Sequence, residues 1–459
     1  MKFAPEDIET TLAVLQQISE DPTLIDRHSR FKSLIAKIYK QGKKNKKRIQ
    51  KQIQQESDRQ LQFQTAIVQD KLELTGSHFL SSANDTSIIG QLHKPKNCYI
   101  CKQAYTKVHS FYHLLCPKCA EFNYQKRQQS TNLEGRIALI TGGRVKIGYE
   151  TTLRMLRDGA KVIVTTRFVV DTALRFSQEI DFDRWCNRLY LYPLDLRNLP
   201  SVEAFVEYLL ETESKLDIII NNAAQTIKRP LAFYQHLLDK ERDIYSILSS
   251  QKINLVCSHN RQTVLLEALP QYHNHLGDNI YFPTNKLDRD GQQLDTRPTN
   301  SWKLKLDEIS TREMLEVQLV NYTAPFIFNS KLKPLLKKPN SDRSFIINVS
   351  AMEGQFNRKN KTTFHPHTNM AKAALNMMTR TAAEDYAKDN IYMNSVDTGW
   401  ITNENPYPLT VHQEENKGFY PPLDNIDGMA RIYDPIVKGI NDNELFYGHF
   451  LKDYKAHEW

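Results

Sequence analysis

From Asn132 onward the sequence predicts an α/β fold, a doubly wound parallel sheet with helices on both faces. Three observations predict it. Short β-branched runs recur along the chain: "RIALITGG", "KVIVTTR", "RLYLYPLD", "LDIIINNAA" and "SFIINVS". Amphipathic stretches such as Ile147–Asp158 and Val202–Glu211 separate them, and strands alternating with helices build parallel sheets buried on both faces. A glycine-containing turn, "TGGRVKIG", joins the first of these strands directly to a helix.

The elements before Asn132 follow other patterns. "APEDIETTLAVLQQISEDP" has apolar residues at helical spacing, with Pro5 near its start and Pro22 beyond its end, both marks of helix boundaries. A second helical pattern runs from about Ser29 to Gln69 and is expected to bend near Gly42. Residues 1–73 therefore read as a helical, basic segment. Leu74–Lys96 is rich in turn formers and reads as a linker. Residues 97–128 read as a zinc-ribbon-like module, and 129–459 as the α/β domain. An insertion over about 228–316 interrupts that domain, because the span is too long for a simple connection.

A hydrophobic content of 40% with 25% charged residues is that of a soluble globular protein. No apolar run approaches the roughly 18 residues that cross a bilayer, so no membrane role is expected. The N-terminus carries acidic residues early and has no cleavable apolar core, so it does not read as a signal peptide. Six cysteines, four of them in CxxC pairs, fit metal binding in a reducing compartment, and a cytoplasmic location is expected. The net charge of +8 is concentrated in residues 1–130. Arg30–Lys51, "RFKSLIAKIYKQGKKNKKRIQK", contains no acidic residue. Such a run suits phosphate contact without sequence reading, and equally a solvated helix face or a protein-docking arm. Nucleic acid and protein are both carried forward as partners.

Cys98, Cys101, Cys116 and Cys119 form C-x2-C-x14-C-x2-C. Each CxxC pair brings two thiolates to one ion, and four complete a closed tetrahedral shell, so structural zinc is expected; iron also suits four thiolates. His109 and His113 between the pairs are expected at the surface or in packing. Cys186 and Cys257 are expected as isolated thiols.

The turn "ALITGGRVKIGYETTLRML" lies between strand and helix, where backbone N–H groups and the helix N-terminus hold a pyrophosphate. Residues 134–459 resemble members of the short-chain dehydrogenase/reductase family. The resemblance implies a Rossmann-like doubly wound sheet, a nicotinamide cofactor and, from the family, a dimer or tetramer. The family's Thr-Gly-x3-Gly-x-Gly turn matches at Thr141, Gly142 and Gly148, with Ile147 beside the last glycine. Lys146 replaces the middle glycine, and a different loop path is expected there. Arg167 follows the second strand where NADP-preferring members carry a basic residue, and Arg144 adds charge, so NADP(H) is expected over NAD(H). Asp195 and Leu196 fall where the adenine is met, Asn222 and Ala223 at the strand end beside the cofactor, and Ile401 and Thr402 near the nicotinamide. Asn321 matches the asparagine that orders a proton-relay water.

Lys372 matches the family's ribose-holding lysine, yet Thr368 stands where its catalytic tyrosine belongs. A phenol beside an ammonium can be brought toward neutrality, whereas an aliphatic alcohol is far too weak an acid. Ser350 is kept, but Ala351 occupies the catalytic serine's place, and a shift of one residue turns a strand side chain to the other face. The candidate catalytic set is Asn321, Lys372, Ser350 and His367. His365 and Tyr407 are further proton-donor candidates, because imidazole titrates near neutrality. Two readings remain. One is an oxidoreductase transferring hydride to or from an unknown carbonyl or alcohol substrate with a non-standard proton donor. The other is a catalytically inactive NADP(H)-sensing protein whose zinc module and basic helix contact a partner.

Overall fold

The computed structural model describes residues 3–72, 87–242, 254–255, 278–288, 290–337, 343–358 and 361–459. Residue 73 of the helical segment, residues 74–86 of the expected linker, Cys257 and the insertion residues 243–253 and 256–277 lie outside the described residues. The helices are α1 (Pro5–Glu20), α2 (Ser29–Phe63), α3 (Ala66–Leu72), α4 (Pro117–Arg127), α5 (Lys146–Arg157), α6 (Val169–Ser177) and α7 (Leu199–Thr212). They continue with α8 (Gln235–Arg242), α9 (Thr311–Gln318), α10 (Ala324–Lys331), α11 (Lys333–Leu336), α12 (Pro366–Ala387), α13 (Tyr407–Lys417) and α14 (Asn425–Val437). Strands β1 (Ile88–Asn97) and β2 (Ala104–His109) pair with each other. The large sheet uses β3 (Ile137–Thr141), β4 (Lys161–Thr166), β5 (Leu189–Pro193), β6 (Ile218–Asn221) and β7 (Asn254–Leu255). It is completed by β8 (Ser344–Ser350), β9 (Ile391–Asp397), β10 (Phe450–Lys452) and β11 (Lys455–His457).

That sheet has nine strands in the order β11-β10-β9-β8-β6-β3-β4-β5-β7. Its neighbours are parallel except β10 and β11. The chain begins at β3, winds outward to β5, then crosses back to β6, β8 and β9. The fold is thus a doubly wound α/β sheet, preceded by helices and a small four-cysteine module. The edge strands β10 and β11 are too short to announce themselves in the sequence.

The strand residues divide by period two. Ala138, Ile140, Val162, Val164, Ile218 and Ile220 face one core, whereas Leu139, Ile163, Ile219 and Ile346 face the other. The first core takes Leu153 and Leu156 of α5 and Ile432 and Ile436 of α14. The second takes Phe205 of α7, Phe328 of α10 and Tyr386 of α12. Each fully buried aliphatic side chain contributes about 1.5–3 kcal/mol, so the two layers hold the sheet from both sides.

Two expectations are corrected. Residues 88–96, expected as linker, lie in β1, where Leu92 packs in one cluster with Ile67 and Val68 of α3. The helix expected to bend at Gly42 runs unbroken over Ser29–Phe63. One exposed glycine costs about 1 kcal/mol in a helix, too little to break a run of lysines and glutamines. The run Arg30–Lys51 lies on this helix, with all its basic residues exposed. No residue of α1 is buried, and no described helix is long and apolar enough to cross a membrane.

The cysteine module does not hang free of the sheet domain. Its core of Tyr105, Val108, Tyr112 and Leu115 is continuous with Ile401, Tyr420 and Leu423. A buried polar network seals the same contact. Arg127 Nη1 lies 2.6 Å from Asp424 Oδ1 and 3.3 Å from Asp427 Oδ1, and the Tyr112 hydroxyl donates to Asp427 at 2.5 Å. Arg431 Nη2 donates to Asn123 Oδ1 at 2.8 Å.

Candidate functional site

The strand order reverses between β3 and β6, the switch point at which doubly wound sheets bind ligands. The glycine turn sits there. Gly142 has φ +71°, and a Cβ on it would lie 3.0 Å from Ala223. At Gly148 a Cβ would lie 2.2 Å from the Gly142 carbonyl oxygen and 2.5 Å from Asn222 Nδ2, so only glycine fits. Lys146 takes φ +57°, the left-handed conformation that glycine adopts without strain. The different path expected at Lys146 is therefore not a departure to another backbone region; the lysine bears a cost of about 1–2 kcal/mol to occupy the glycine-like one. No side chain caps the start of α5, which leaves its N–H groups available to an anion.

The other sequence-predicted cofactor residues surround this turn. The Thr141 hydroxyl accepts from the Asn222 and Ala223 N–H groups at 3.0 Å each, and Asn222 Nδ2 donates to the Thr141 and Gly142 carbonyls. Ile147 packs into both the sheet core and the cysteine-module core. Arg167 lies over the Tyr234 ring at 4.7 Å and donates to its hydroxyl at 3.1 Å. Burial opposes ionisation of Tyr234, yet Arg167, with Arg229 and Arg197 beyond it, holds this phenol below its ordinary range. Three guanidinium groups thus act on the Tyr234 phenol. Arg144 is not free to add to them: its guanidinium is buried, 2.8 Å from Asp171 Oδ2 and 2.5 Å from Gln292 Oε1. Asp195 is gripped by Arg197, which outweighs burial and holds the carboxyl below its usual range. Leu196 is turned into the second core.

At the catalytic end, Asn321 lies in a π-helical turn, Leu319–Thr323, the kind of irregularity that gathers at functional sites. Its amide accepts from Gln225 N–H at 2.7 Å and donates to the Gln225 carbonyl at 3.2 Å. Lys372 is buried, with Nζ 2.6 Å from the Val349 carbonyl. Burial pushes this ammonium down to about 8, against the opposing charge of Glu353. Thr368 is 4% exposed and its hydroxyl has no hydrogen-bond partner.

Ser350, His367 and Tyr407 are not brought to that point. The Ser350 hydroxyl donates to Asn376 Oδ1 at 2.6 Å inside the helix–sheet contact. His367 faces α9, with Nε2 3.4 Å from Glu313 Oε1. The Tyr407 side chain is exposed at the start of α13. His365 immediately precedes α12, three positions ahead of Thr368. Its φ of +43° puts it at the N-cap of α12, and its ring stacks on Trp302 at 3.8 Å. Glu353 acts on both His365 and Lys372. Trp302 belongs to the expected insertion, whose end, Asn300–Trp302, also reaches Lys228 and Glu404.

Sequence reasoning missed the polar ladder beneath the site. Asn221 Nδ2 donates to Asn329 and Asn348 at 2.8 Å each, Asn348 donates to Thr379 at 2.9 Å, and Ser395 donates to Thr379 at 2.8 Å. Polar residues inside β6, β8 and β9 were its only sequence signal.

The four cysteine sulfurs lie within 4.8 Å of one another, and Cys101 and Cys116 Sγ are 3.7 Å apart. A tetrahedral zinc with bonds near 2.3 Å has S···S edges of about 3.8 Å, so the donor set fits the ion. The Cys116 N–H donates to Cys98 Sγ at 3.3 Å. His109 and His113 are buried rather than at the surface: His109 Nδ1 accepts from Phe111 N–H at 3.0 Å, and burial holds His113 neutral, down to about 3.

A family model described as short chain dehydrogenase matches residues 136–247, and one described as Enoyl-(Acyl carrier protein) reductase matches residues 299–416. The uncharacterized protein R665 of Acanthamoeba polyphaga mimivirus is 32% identical over 357 residues, 74% of this chain and 71% of that protein. Retinol dehydrogenase 12 of Mus musculus is 38% identical over 96 residues; the match spans 20% of this chain and 30% of that enzyme's length. Among solved structures, the NADPH-bound carbonyl reductase from chicken fatty liver aligns at 18% identity with a TM-score of 0.43, covering 71% of this chain and 100% of that one.

Proposed function

The chain belongs to the short-chain dehydrogenase/reductase family, and on that premise we propose that it is an oxidoreductase that binds NADP(H) in preference to NAD(H). Its substrate is a carbonyl or alcohol, and its proton donor is not a phenol. One observation carries this reading. The Thr368 hydroxyl, at the tyrosine position and on one face with Lys372, is sealed from water with no partner. A buried hydroxyl left unpaired costs about 1–3 kcal/mol, and a substrate or ribose oxygen would satisfy it.

Bound nicotinamide supplies or accepts the hydride. The chain's own residues do the rest. Thr141, Asn222 and Gly148 shape the turn, the N–H groups of α5 hold the pyrophosphate, and Arg167 with Arg197 faces the adenosine end. Lys372 holds the ribose, and Thr368 orients the substrate oxygen. His365 gives a proton to that oxygen during reduction and takes it during oxidation, in place of His367, which faces Glu313 of α9.

Burial lowers the His365 imidazole below its usual value, with Glu353 opposing. Carbonyl reduction, which needs the charged ring, therefore speeds up as pH falls below 7. Alcohol oxidation, which needs the neutral ring, is already on its plateau at pH 7. His365→Ala is expected to lower kcat by about 10²-fold or more and to abolish this pH dependence, while His367→Ala leaves it in place. Full turnover in His365→Ala would refute the assignment.

Arg167 supports the cofactor preference. Arg167→Glu is expected to weaken NADPH about 10-fold or more while leaving NADH within a factor of two, because like charge then faces the extra phosphate. Paired titrations of tryptophan quenching measure both, and equal affinity of the unmodified protein for the two cofactors would refute the preference.

Zinc is proposed for the four-cysteine site. No disulfide joins the described cysteines, and a reducing compartment such as the cytoplasm is proposed with the zinc. The basic residues of Arg30–Lys51 remain exposed and suit a polyanionic surface. A second reading, an inactive cofactor sensor, is favoured by Ser350 and Lys372 both spending hydrogen bonds on the protein itself. Carbonyl-dependent NADPH oxidation that requires Lys372 would eliminate it.

A further inference from the structure

Tyr99 lies inside the first CxxC pair, between Cys98 and Cys101, yet its side chain leaves the module. Its hydroxyl accepts a hydrogen bond from Trp400 N–H at 2.9 Å. The residue before, Gly399, has φ +82°, and a Cβ there would lie 2.5 Å from Leu423 and 3.5 Å from the Tyr99 oxygen. The chain leaving β9 is thus pinned between the sheet domain and the cysteine knuckle. Two residues on, Ile401 is buried in the module's own apolar cluster beside Leu423 and Tyr420. Ile147 of the glycine turn packs against the same cluster.

The main chain of Tyr99 is bonded between the two cysteine pairs. Its N–H donates to the Leu114 carbonyl at 2.9 Å, and the Lys102 N–H returns to the Cys98 carbonyl at 3.1 Å. These bonds tie the first knuckle to the second, two residues ahead of Cys116. With an ion bound, two ligands within four residues hold this loop in one conformation; without it, no covalent link joins the knuckles.

We propose that Tyr99 is a positioning residue through which the metal-loaded knuckle sets the conformation of Gly399–Thr402, and through it the affinity for nicotinamide cofactor. The inference rests on the reading of Ile401 and Thr402 as cofactor residues. It assigns the cysteine module a task beyond its own folding: loss of the ion, or oxidation of its thiolates, loosens cofactor binding at a distance.

The test uses the full chain and Tyr99→Phe, which keeps the ring and removes only the acceptor. Hydrogen exchange read by mass spectrometry follows the peptide over Thr398–Thr402, zinc is counted per chain, and NADPH affinity is read by fluorescence. Tyr99→Phe is expected to keep its zinc, to speed exchange at this peptide about 10-fold or more, and to weaken NADPH several-fold. Chelating zinc from the unmodified protein is expected to speed exchange at this peptide too, together with exchange across residues 98–127. Unchanged exchange in Tyr99→Phe overturns the anchoring. Faster exchange with unchanged NADPH affinity overturns the coupling to cofactor. Failure of the unmodified protein to bind NADPH strikes the cofactor reading itself, and the coupling with it.

Discussion

Removing the ion from the four-cysteine site, or replacing Cys98 and Cys116 by serine, is expected to unfold residues 98–127 and destabilise the sheet domain with them. Structural zinc contributes about 10–16 kcal/mol of apparent binding free energy in small modules at neutral pH, and that binding energy is folding energy. The larger consequence lies at the module's contact with α14. Arg127 is sealed there against Asp424 and Asp427; burial opposes ionisation of Asp424, yet Arg127 outweighs it and brings that carboxyl down to about 2, while burial beside Asp424 pushes Asp427 upward. Withdrawing Arg127 would strand the Asp424 charge in a dry contact, and breaking a buried pair costs about 3–5 kcal/mol. Limited proteolysis after chelation is expected to cut first within 98–127, with zinc released at one ion per chain. A chelated protein that melts and digests like the loaded one would refute the role.

Lys372→Met is expected to abolish turnover and stabilise the fold at once. The folded-state value of about 8 lies below the ordinary 10.5 of a lysine. Between those values the unfolded chain binds more protons, so stability rises as pH climbs through that window. At pH 7 both states are protonated and the buried charge costs about 3 kcal/mol. Methionine fills similar volume without the charge, so denaturant unfolding at pH 7 should shift to higher midpoint and lose its rise above pH 8. Function runs the other way. On the proposed ribose-holding role, the Lys372 charge disappears above pH 8, so cofactor affinity in the unmodified protein is expected to fall there. The variant should bind weakly at every pH. A variant that is both less stable and fully active would refute this account of Lys372.

The mismatch at Thr368 takes its meaning from its neighbours. The sequence shows an alcohol where a phenol is expected and offers several replacements without ranking them. Packing separates them: Ser350 is taken by Asn376, Tyr407 is exposed and His367 lies beside Glu313 of α9, while His365 shares a neighbouring carboxylate, Glu353, with Lys372. Arg144 is a similar case. Its charge is plain in the sequence, and its neutralisation by Asp171 is not, because the partner lies 27 residues away on α6.

What the sequence alone determined is local. The alternation of β-branched runs with helices, the Gly142 and Gly148 turn, and the CxxC spacing each place chemistry within a few residues, where backbone geometry leaves little freedom. Tertiary structure decided which side chains are free to act. Lys146 holds a glycine-like conformation because the turn around it is over-determined by Thr141 and Asn222. Tyr99 reaches Trp400 across 301 residues of chain. Such contacts depend on how the module and sheet pack together, and no spacing along the chain encodes them.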